Sequence, residues 1–315
     1  MWFTLAFLSA VLLGFYDVFK KKALKANAVV PVLTLNVLFS SLLFLPFIVL
    51  SAMGKIGEDA LLHVPVYGWA EHKYIVGKSL IVLASWLFGY WGIKNLPLTI
   101  VGPINATRPV MVLIGALALF GETLTLFQWL GVMTAMVGLF LLSRSGKKEG
   151  IDFRHNKWIV FVLLSNVLGA LSGLYDKYLM ASPDNNGIGL DKMAVQSWFN
   201  IYQLGMMTIA LLTLWWPRRK RSTPFHWHWC IPLISLFLSA ADFAYFYSLS
   251  LDGAMISIVS MIRRGSVVVS FLFGALAFHE KNLKAKAIDL LLVLLSMVFL
   301  FIGTDKQPKH STYTQ

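Results

Sequence analysis

The chain has 315 residues, of which 57% are hydrophobic and only 13% charged, with a mean hydropathy of +0.70. A soluble globular domain carries about 25% charged residues, so that class is excluded and a polytopic membrane protein is indicated. The net charge of +12 resides mostly in short loops between apolar runs, which speaks of topology rather than of nucleic acid. The single cysteine, Cys230, excludes an intrachain disulfide.

A spanning helix needs about 20 apolar residues, and ten candidate spans follow in chain order: 3–19, 29–53, 79–95, 98–119, 125–143, 158–180, 194–216, 229–250, 253–278 and 284–302. The first has no basic segment before it and its lysines follow the apolar run, so it is a span and not a cleaved leader. Connections such as Lys94–Pro97 and Gly121–Thr123 are too short for anything but antiparallel neighbours. The longer ones are 54–78, the linker 144–157, 181–193 and the basic run Pro217–Arg221, and the tail from Gly303 is polar.

The two halves repeat. Gly14–Phe19 resembles Gly173–Tyr178 at an offset of 159, and Ala84–Tyr90 lies on Ser239–Tyr245 at 155. The offset of 155 also carries Arg108 onto Arg263, while Gly121-Glu122 falls on His279-Glu280 at 158. The expected units are 1–143 and 158–302, joined by 144–157 and followed by the tail 303–315. Five spans per half is an odd number, so the halves are expected to lie inverted in the membrane. That arrangement is typical of secondary transporters, with substrate held near the midplane between the repeats. Of the 27 Lys and Arg, 17 fall on the side reached after odd-numbered spans and seven on the other. The positive-inside rule then places both termini outside the cytoplasm. The expectation is a multi-pass protein of the cell (inner) membrane.

Three arginines interrupt the apolar runs: Arg108 in the fourth, and Arg263 and Arg264 in the ninth. Arg108 is ten residues past Leu98 and Arg263 ten past Gly253. At ~1.5 Å per residue each lies ~15 Å deep, near the centre of a ~30 Å hydrocarbon core. Charges at that depth are costly and face partners or a polar cavity. The guanidinium fork binds carboxylate or phosphate through two oxygens. Asn105 shares a helical face with Arg108, and Ser257 and Ser260 share one with Arg264. Gly102, Pro103 and Pro109 weaken the backbone ladder beside Arg108. Tyr90 and Tyr245, related by the repeat, offer hydroxyls to an anion. Asn36, Asn200 and Gln203 are amides in apolar runs, available to ligand or to neighbouring helices.

Asp242 is the expected ion-pair partner of the arginines, or a coupling group. Asp17 and Asp176 are expected to pair at the interface with Lys20, Lys21 or Lys177. Glu122 and Glu280 are expected to cap the helices that follow them. Asp289 receives no role, and His226 and His228 are expected to anchor at the headgroups. No nucleotide-binding, zinc-protease or hydrolase motif is present, so neither an enzyme nor a cofactor-dependent protein is expected.

The segment Gly121–Gly131, a Gly-Glu pair followed by an apolar run closing on glycine, resembles the end of an EamA-type repeat. Phe278–Asp289 resembles the same ending, with Asp289 where the glycine stands. With ten spans in two halves, the whole chain is similar to the drug/metabolite transporter superfamily. The resemblance implies a central cavity lined by spans 1–4 and 6–9, with spans 5 and 10 peripheral and available for a homodimer. The plastid sugar-phosphate translocators of that superfamily hold phosphate with a basic residue on the fourth helix and an adjacent Lys-Arg pair on the ninth. Arg108 and Arg263-Arg264 are similar in placement, with Arg for Lys at the first two positions. A tyrosine on the eighth helix serves the same site there, which Tyr245 resembles. The expected function is transport of a small carboxylated or phosphorylated anion among membrane lipids, bound by Arg108, Arg263, Arg264, Tyr90, Tyr245, Asn105, Asn36 and Asn200. The alternatives are a proton-linked exporter of amino acids or amphipathic compounds working through Asp242, and a lipid-headgroup flippase.

Overall fold

A computed structural model describes residues 2–111, 114, 125–148, 150–180, 187–221, 223–250, 262–278, 280 and 282–305. Glu122, Ser257, Ser260 and the polar end of the tail lie outside the described residues. Ten α-helices of nine residues or more occur among them, and no strand. They are α1 (Trp2–Leu24), α2 (Val29–Ala52), α3 (Trp69–Asn95), α4 (Leu98–Ala106), α5 (Leu126–Lys147), α6 (Lys157–Met180), α7 (Lys192–Ala210), α8 (Cys230–Ser250), α9 (Ser266–Ala277) and α10 (Leu283–Asp305).

Six of these, α1, α2, α3, α5, α6 and α10, contain a segment long and apolar enough to cross a membrane, and α8 holds a shorter apolar segment. The fourth and ninth expected spans are not uninterrupted helices. At Thr107 the backbone tightens: its N–H donates to the Ile104 carbonyl at 3.2 Å, and its own carbonyl accepts from Val110 N–H at 3.0 Å. Pro109 explains the break, because it has no N–H to give the carbonyl four residues back. Gly265 repeats the pattern, donating to Ile262 O at 2.8 Å and accepting from Val268 N at 2.9 Å. Both knuckles adjoin arginines: Arg108 follows the first, and Arg263 and Arg264 precede the second. The two knuckles stand 158 positions apart.

Local signals set the other boundaries. Pro97 ends α3 by disfavouring helical backbone at Leu96, then opens α4. Thr125 starts α5 with a capping box, accepting from Gln128 N at 3.3 Å while Gln128 Oε1 accepts from Thr125 N at 2.9 Å. Asp191 caps α7 through Met193 N and Ala194 N. That helix closes in a π turn at Leu211–Trp215 and a 3₁₀ turn at Trp216–Arg218 that enters the basic run.

The four most extensive packings pair α1 with α8, α3 with α6, α2 with α7 and α5 with α10. The last pair meets through glycines: a Cβ on Gly131 would stand 2.7 Å from Leu300 Cδ2, and one on Gly138 3.0 Å from Val293 Cγ2. The main core gathers Leu33, Val37, Tyr90, Ile93, Ile104, Leu142 and Ile234 from both halves.

One end of the bundle is tied by polar contacts. Asn27 and His226 exchange two hydrogen bonds, Asn27 Nδ2 donating to His226 O at 2.7 Å and His226 N to Asn27 Oδ1 at 3.0 Å. Lys21 donates to the carbonyls of Ile93 and Leu96 at 2.6 and 2.5 Å, ending α3. Glu280 does not cap α10, which follows it. Its two oxygens accept from Leu98 N at 2.7 Å and Thr99 N at 2.9 Å, capping α4 from the other half of the chain. A carboxylate there satisfies orphan N–H groups and meets the positive end of the helix dipole. Glu280→Ala is expected to cost about 1–2 kcal/mol, read as a lower melting temperature in detergent. Glu280→Gln retains one acceptor and is expected to lose less.

Three lysines counted above as loop residues are buried in helices: Lys20 in α1, Lys78 in α3 and Lys286 in α10. Lys78 was misplaced because α3 begins at Trp69, ten residues before the apolar run. Removing all three leaves the loop bias in the same direction.

Candidate functional site

The intramembrane charges converge. On α1, Asp17 pairs with Lys20 at 2.7 Å, one helical turn away. Lys20 Nζ stands 4.0 Å from the Tyr16 ring centroid and 5.3 Å from that of Tyr90 on α3. Tyr90 is buried, and its hydroxyl faces that of Tyr16. On the other side of the bundle, Lys78 of α3 forms an ion pair with Asp176 of α6. Asp176 therefore reaches across helices. Arg263 forms an ion pair with Asp242 of α8, and its guanidinium lies 4.4 Å from the Tyr245 ring centroid. The partnership expected for Asp242 is present, and Tyr245 is brought to the arginines as expected.

Arg108 has no acid within salt-bridge distance among the described residues. Its Nη2 donates to Asn166 Oδ1 of α6 at 3.4 Å, a long bond, and its buried Nε has no partner. Asn166 is itself held by donating from Nδ2 to Ile104 O at 2.5 Å, the carbonyl that also accepts from Thr107 N–H and Oγ1 at the knuckle. Arg264 likewise has no acid partner among the described residues. The three arginines lie within electrostatic reach of one another, and Arg108 of Asp17 and Tyr16. Among the described residues, five cations, Lys20, Lys78, Arg108, Arg263 and Arg264, thus meet three acids, Asp17, Asp176 and Asp242. The acids are committed to Lys20, Lys78 and Arg263. Arg108 and Arg264 carry the surplus positive charge.

Asn105 does not share an unbroken face with Arg108, because the Thr107 knuckle separates them. Asn36 and Asn200 engage helices: Ser235 donates to Asn36 Oδ1 at 3.0 Å, and Asn200 Nδ2 donates to Gln196 O at 2.8 Å. Asn36 Nδ2, Ser40 Oγ, Ser197 Oγ and both amide atoms of Gln203 are buried without partners, which leaves a polar seam along α2 and α7. Asp289 is buried and accepts from Ser145 Oγ at 2.7 Å, joining α10 to α5. Among the described residues no group of three or more His, Cys, Asp or Glu is placed to hold a metal.

Sequence reasoning missed Asn166, Gly169 and Lys78, and it paired Lys20 with Asp17 but placed that pair at the interface. Lys78 had a signal, since its partner is an aspartate from the repeated Tyr-Asp pair. Gly169 had none. A Cβ there would stand 2.6 Å from Arg108 Cζ, so the bare backbone makes room for the guanidinium. Gly169→Ala is expected to leave folding nearly intact, because the displaced atoms are the end of a flexible side chain. It should weaken anion binding roughly tenfold by moving Arg108 off Asn166. The readout is anion-dependent thermal stabilisation, and an unchanged response would remove Arg108 from the site.

These features define a helical integral membrane protein with a charged interior. Residues 1–144 match the model of the EamA-like transporter family. No curated protein matches the chain. A solved structure, named only as "Crystal structure of protein", is similar at a TM-score of 0.59 and 15% identity, covering 97% of this chain and 99% of its own. At that identity the likeness concerns the fold.

Proposed function

We propose that the chain is a secondary transporter that moves a small anionic metabolite by alternating access between two inverted five-helix repeats. The observation that carries this reading is the surplus of two guanidiniums, Arg108 and Arg264, after Asp17, Asp176 and Asp242 have each been matched to a cation among the described residues. A buried cation without a counterion is expensive, and a bound carboxylate or phosphate offsets that cost with charge-assisted hydrogen bonds. Tyr245, Tyr90 and Asn105 are the neighbouring polar groups assigned to orient it.

The repeat architecture has its own support. Counting helices α1–α5 against α6–α10, the four most extensive packing pairs map onto themselves: α1 on α8 exchanges with α6 on α3, and α2–α7 and α5–α10 join counterparts. The helix knuckles recur with the same two hydrogen bonds. Broken helices at mid-membrane free backbone groups beside the substrate in transporters of this kind. The family match also ends where the first five helices end.

The test is thermal stabilisation of the purified protein across phosphorylated, carboxylated and cationic metabolites, since specific binding stabilises by mass action. Stabilisation by anions alone supports the reading; stabilisation by cations alone overturns it.

A second reading, export of an amphipathic compound, is supported by a cavity of about 580 Å³. Phe44 and Phe47 of α2, Gln196 of α7 and Phe243 and Tyr247 of α8 line it, beneath the 58–65 segment. The cavity does not touch the arginines. Uptake that depends on Phe243 but not on Arg264 would favour this second reading.

A further inference from the structure

A second lateral cavity, of about 380 Å³, lies between α5 and α6 at the opposite end of the bundle. Its walls are Leu139, Phe140, Ile159 and Leu163, with Ser143 and Arg154 at its upper edge. Phe140 is 63% exposed, so the groove opens sideways to the lipid rather than inward to the transport path. The same helix rows that form the wall continue into cations. Leu139 and Ser143 are followed four residues on by Lys147, and Phe140 by Arg144 and then Lys148. Arg144, Lys147, Lys148, Arg154 and Lys157 are all exposed. None of the five has an acid partner among the described residues. Asp152, the described acid in this connection, is taken by His155 Nδ1 at 2.7 Å and Arg154 N at 3.1 Å. Those bonds hold its carboxyl below the usual carboxylate range. Trp158, under the Lys157 ammonium at 4.7 Å, places this level at a membrane interface.

We propose that this groove is a binding site for an anionic phospholipid. One acyl chain lies against Leu139, Phe140, Ile159 and Leu163, and the headgroup phosphate is held by Arg154 and Arg144. An apolar slot facing the bilayer with basic side chains at its mouth, on the side where loop cations concentrate, is complementary to that one class of molecule. A soluble phosphate would use the cations and leave the slot unused. A zwitterionic lipid would use the slot and gain little from five cations. The site lies in the connection between the two halves, so a lipid seated there pins that connection to one leaflet.

The test uses the full chain in neutral detergent, with cardiolipin, phosphatidylglycerol, phosphatidylcholine and inorganic phosphate as probes, read by native mass spectrometry and thermal shift. The two anionic lipids are expected to bind and stabilise, and phosphatidylcholine and phosphate are not. Arg144→Gln with Arg154→Gln, both exposed, should fold normally and lose about tenfold or more in anionic-lipid affinity. Leu163→Trp, which fills the slot and keeps every charge, should lose binding as well. Lys220→Gln with Arg221→Gln removes two cations from the other basic loop and should change nothing. Equal loss in that control pair, or full retention in Leu163→Trp, would overturn the site in favour of a diffuse electrostatic attraction. Equal stabilisation by phosphatidylcholine or by phosphate would overturn it too.

Discussion

Arg264→Met is expected to abolish anion uptake into proteoliposomes while leaving the ligand-free protein as stable as the wild type, or more so. The two effects come from one cause. Arg264 adjoins the Gly265 knuckle and has no acid partner among the described residues, while Arg263 beside it is committed to Asp242. A guanidinium held in a low-dielectric interior without a counterion costs several kcal/mol. Methionine fills similar space without that cost. Stability should therefore hold or rise. Function should fall by about a hundredfold or more, since one or two hydrogen bonds to a charged group are worth about 1.5–3 kcal/mol each. Most side-chain replacements at a membrane core lose both properties together, so the dissociation is diagnostic. A melting temperature that drops sharply, with uptake lost only in proportion to unfolded protein, would instead make Arg264 a helix staple. Arg108→Met is a weaker version of the experiment, because Arg108 also touches Asn166 and packs on Gly169.

The fold was legible wherever apolar length was the deciding quantity. Helices α1, α2, α5, α6 and α10 follow from runs of hydrophobic residues, and the break after α4 from Pro109. The site was half legible. A charge inside an apolar run is conspicuous, so the three arginines and Asp242 stood out. Lys78 did not, because α3 extends a helical turn and more beyond its apolar segment and carries the lysine inward. Glu280 read as a cap for the helix after it, since sequence shows only neighbours. The N–H groups it satisfies belong to Leu98 and Thr99, more than 180 positions away. Gly169 and Asn166 were invisible for the same reason: their importance lies in what another helix presses against them.

Asp242→Asn is expected to separate the anion reading from proton coupling. The variant leaves Arg263 without its carboxylate. Breaking a buried pair by removing one partner costs about 3–5 kcal/mol. The side chains of this pair are 20% and 22% exposed, which moves the expected cost to the lower end of that range. Asp242→Leu combined with Arg263→Met removes both charges and should recover most of the stability, because the penalty lies in the orphaned cation and not in the lost bond. The next step discriminates. If Asp242 is a resident counterion that substrate must displace from Arg263, its loss frees a third guanidinium. Anions should then stabilise Asp242→Asn more than they stabilise the wild type, with a lower apparent Kd, and transport should slow because release is impaired. If Asp242 carries the coupling proton instead, the variant should gain nothing from anions and lose the pH dependence of uptake. Titrating one phosphorylated and one dicarboxylated probe against both proteins, at two pH values, gives opposite signs for the two mechanisms.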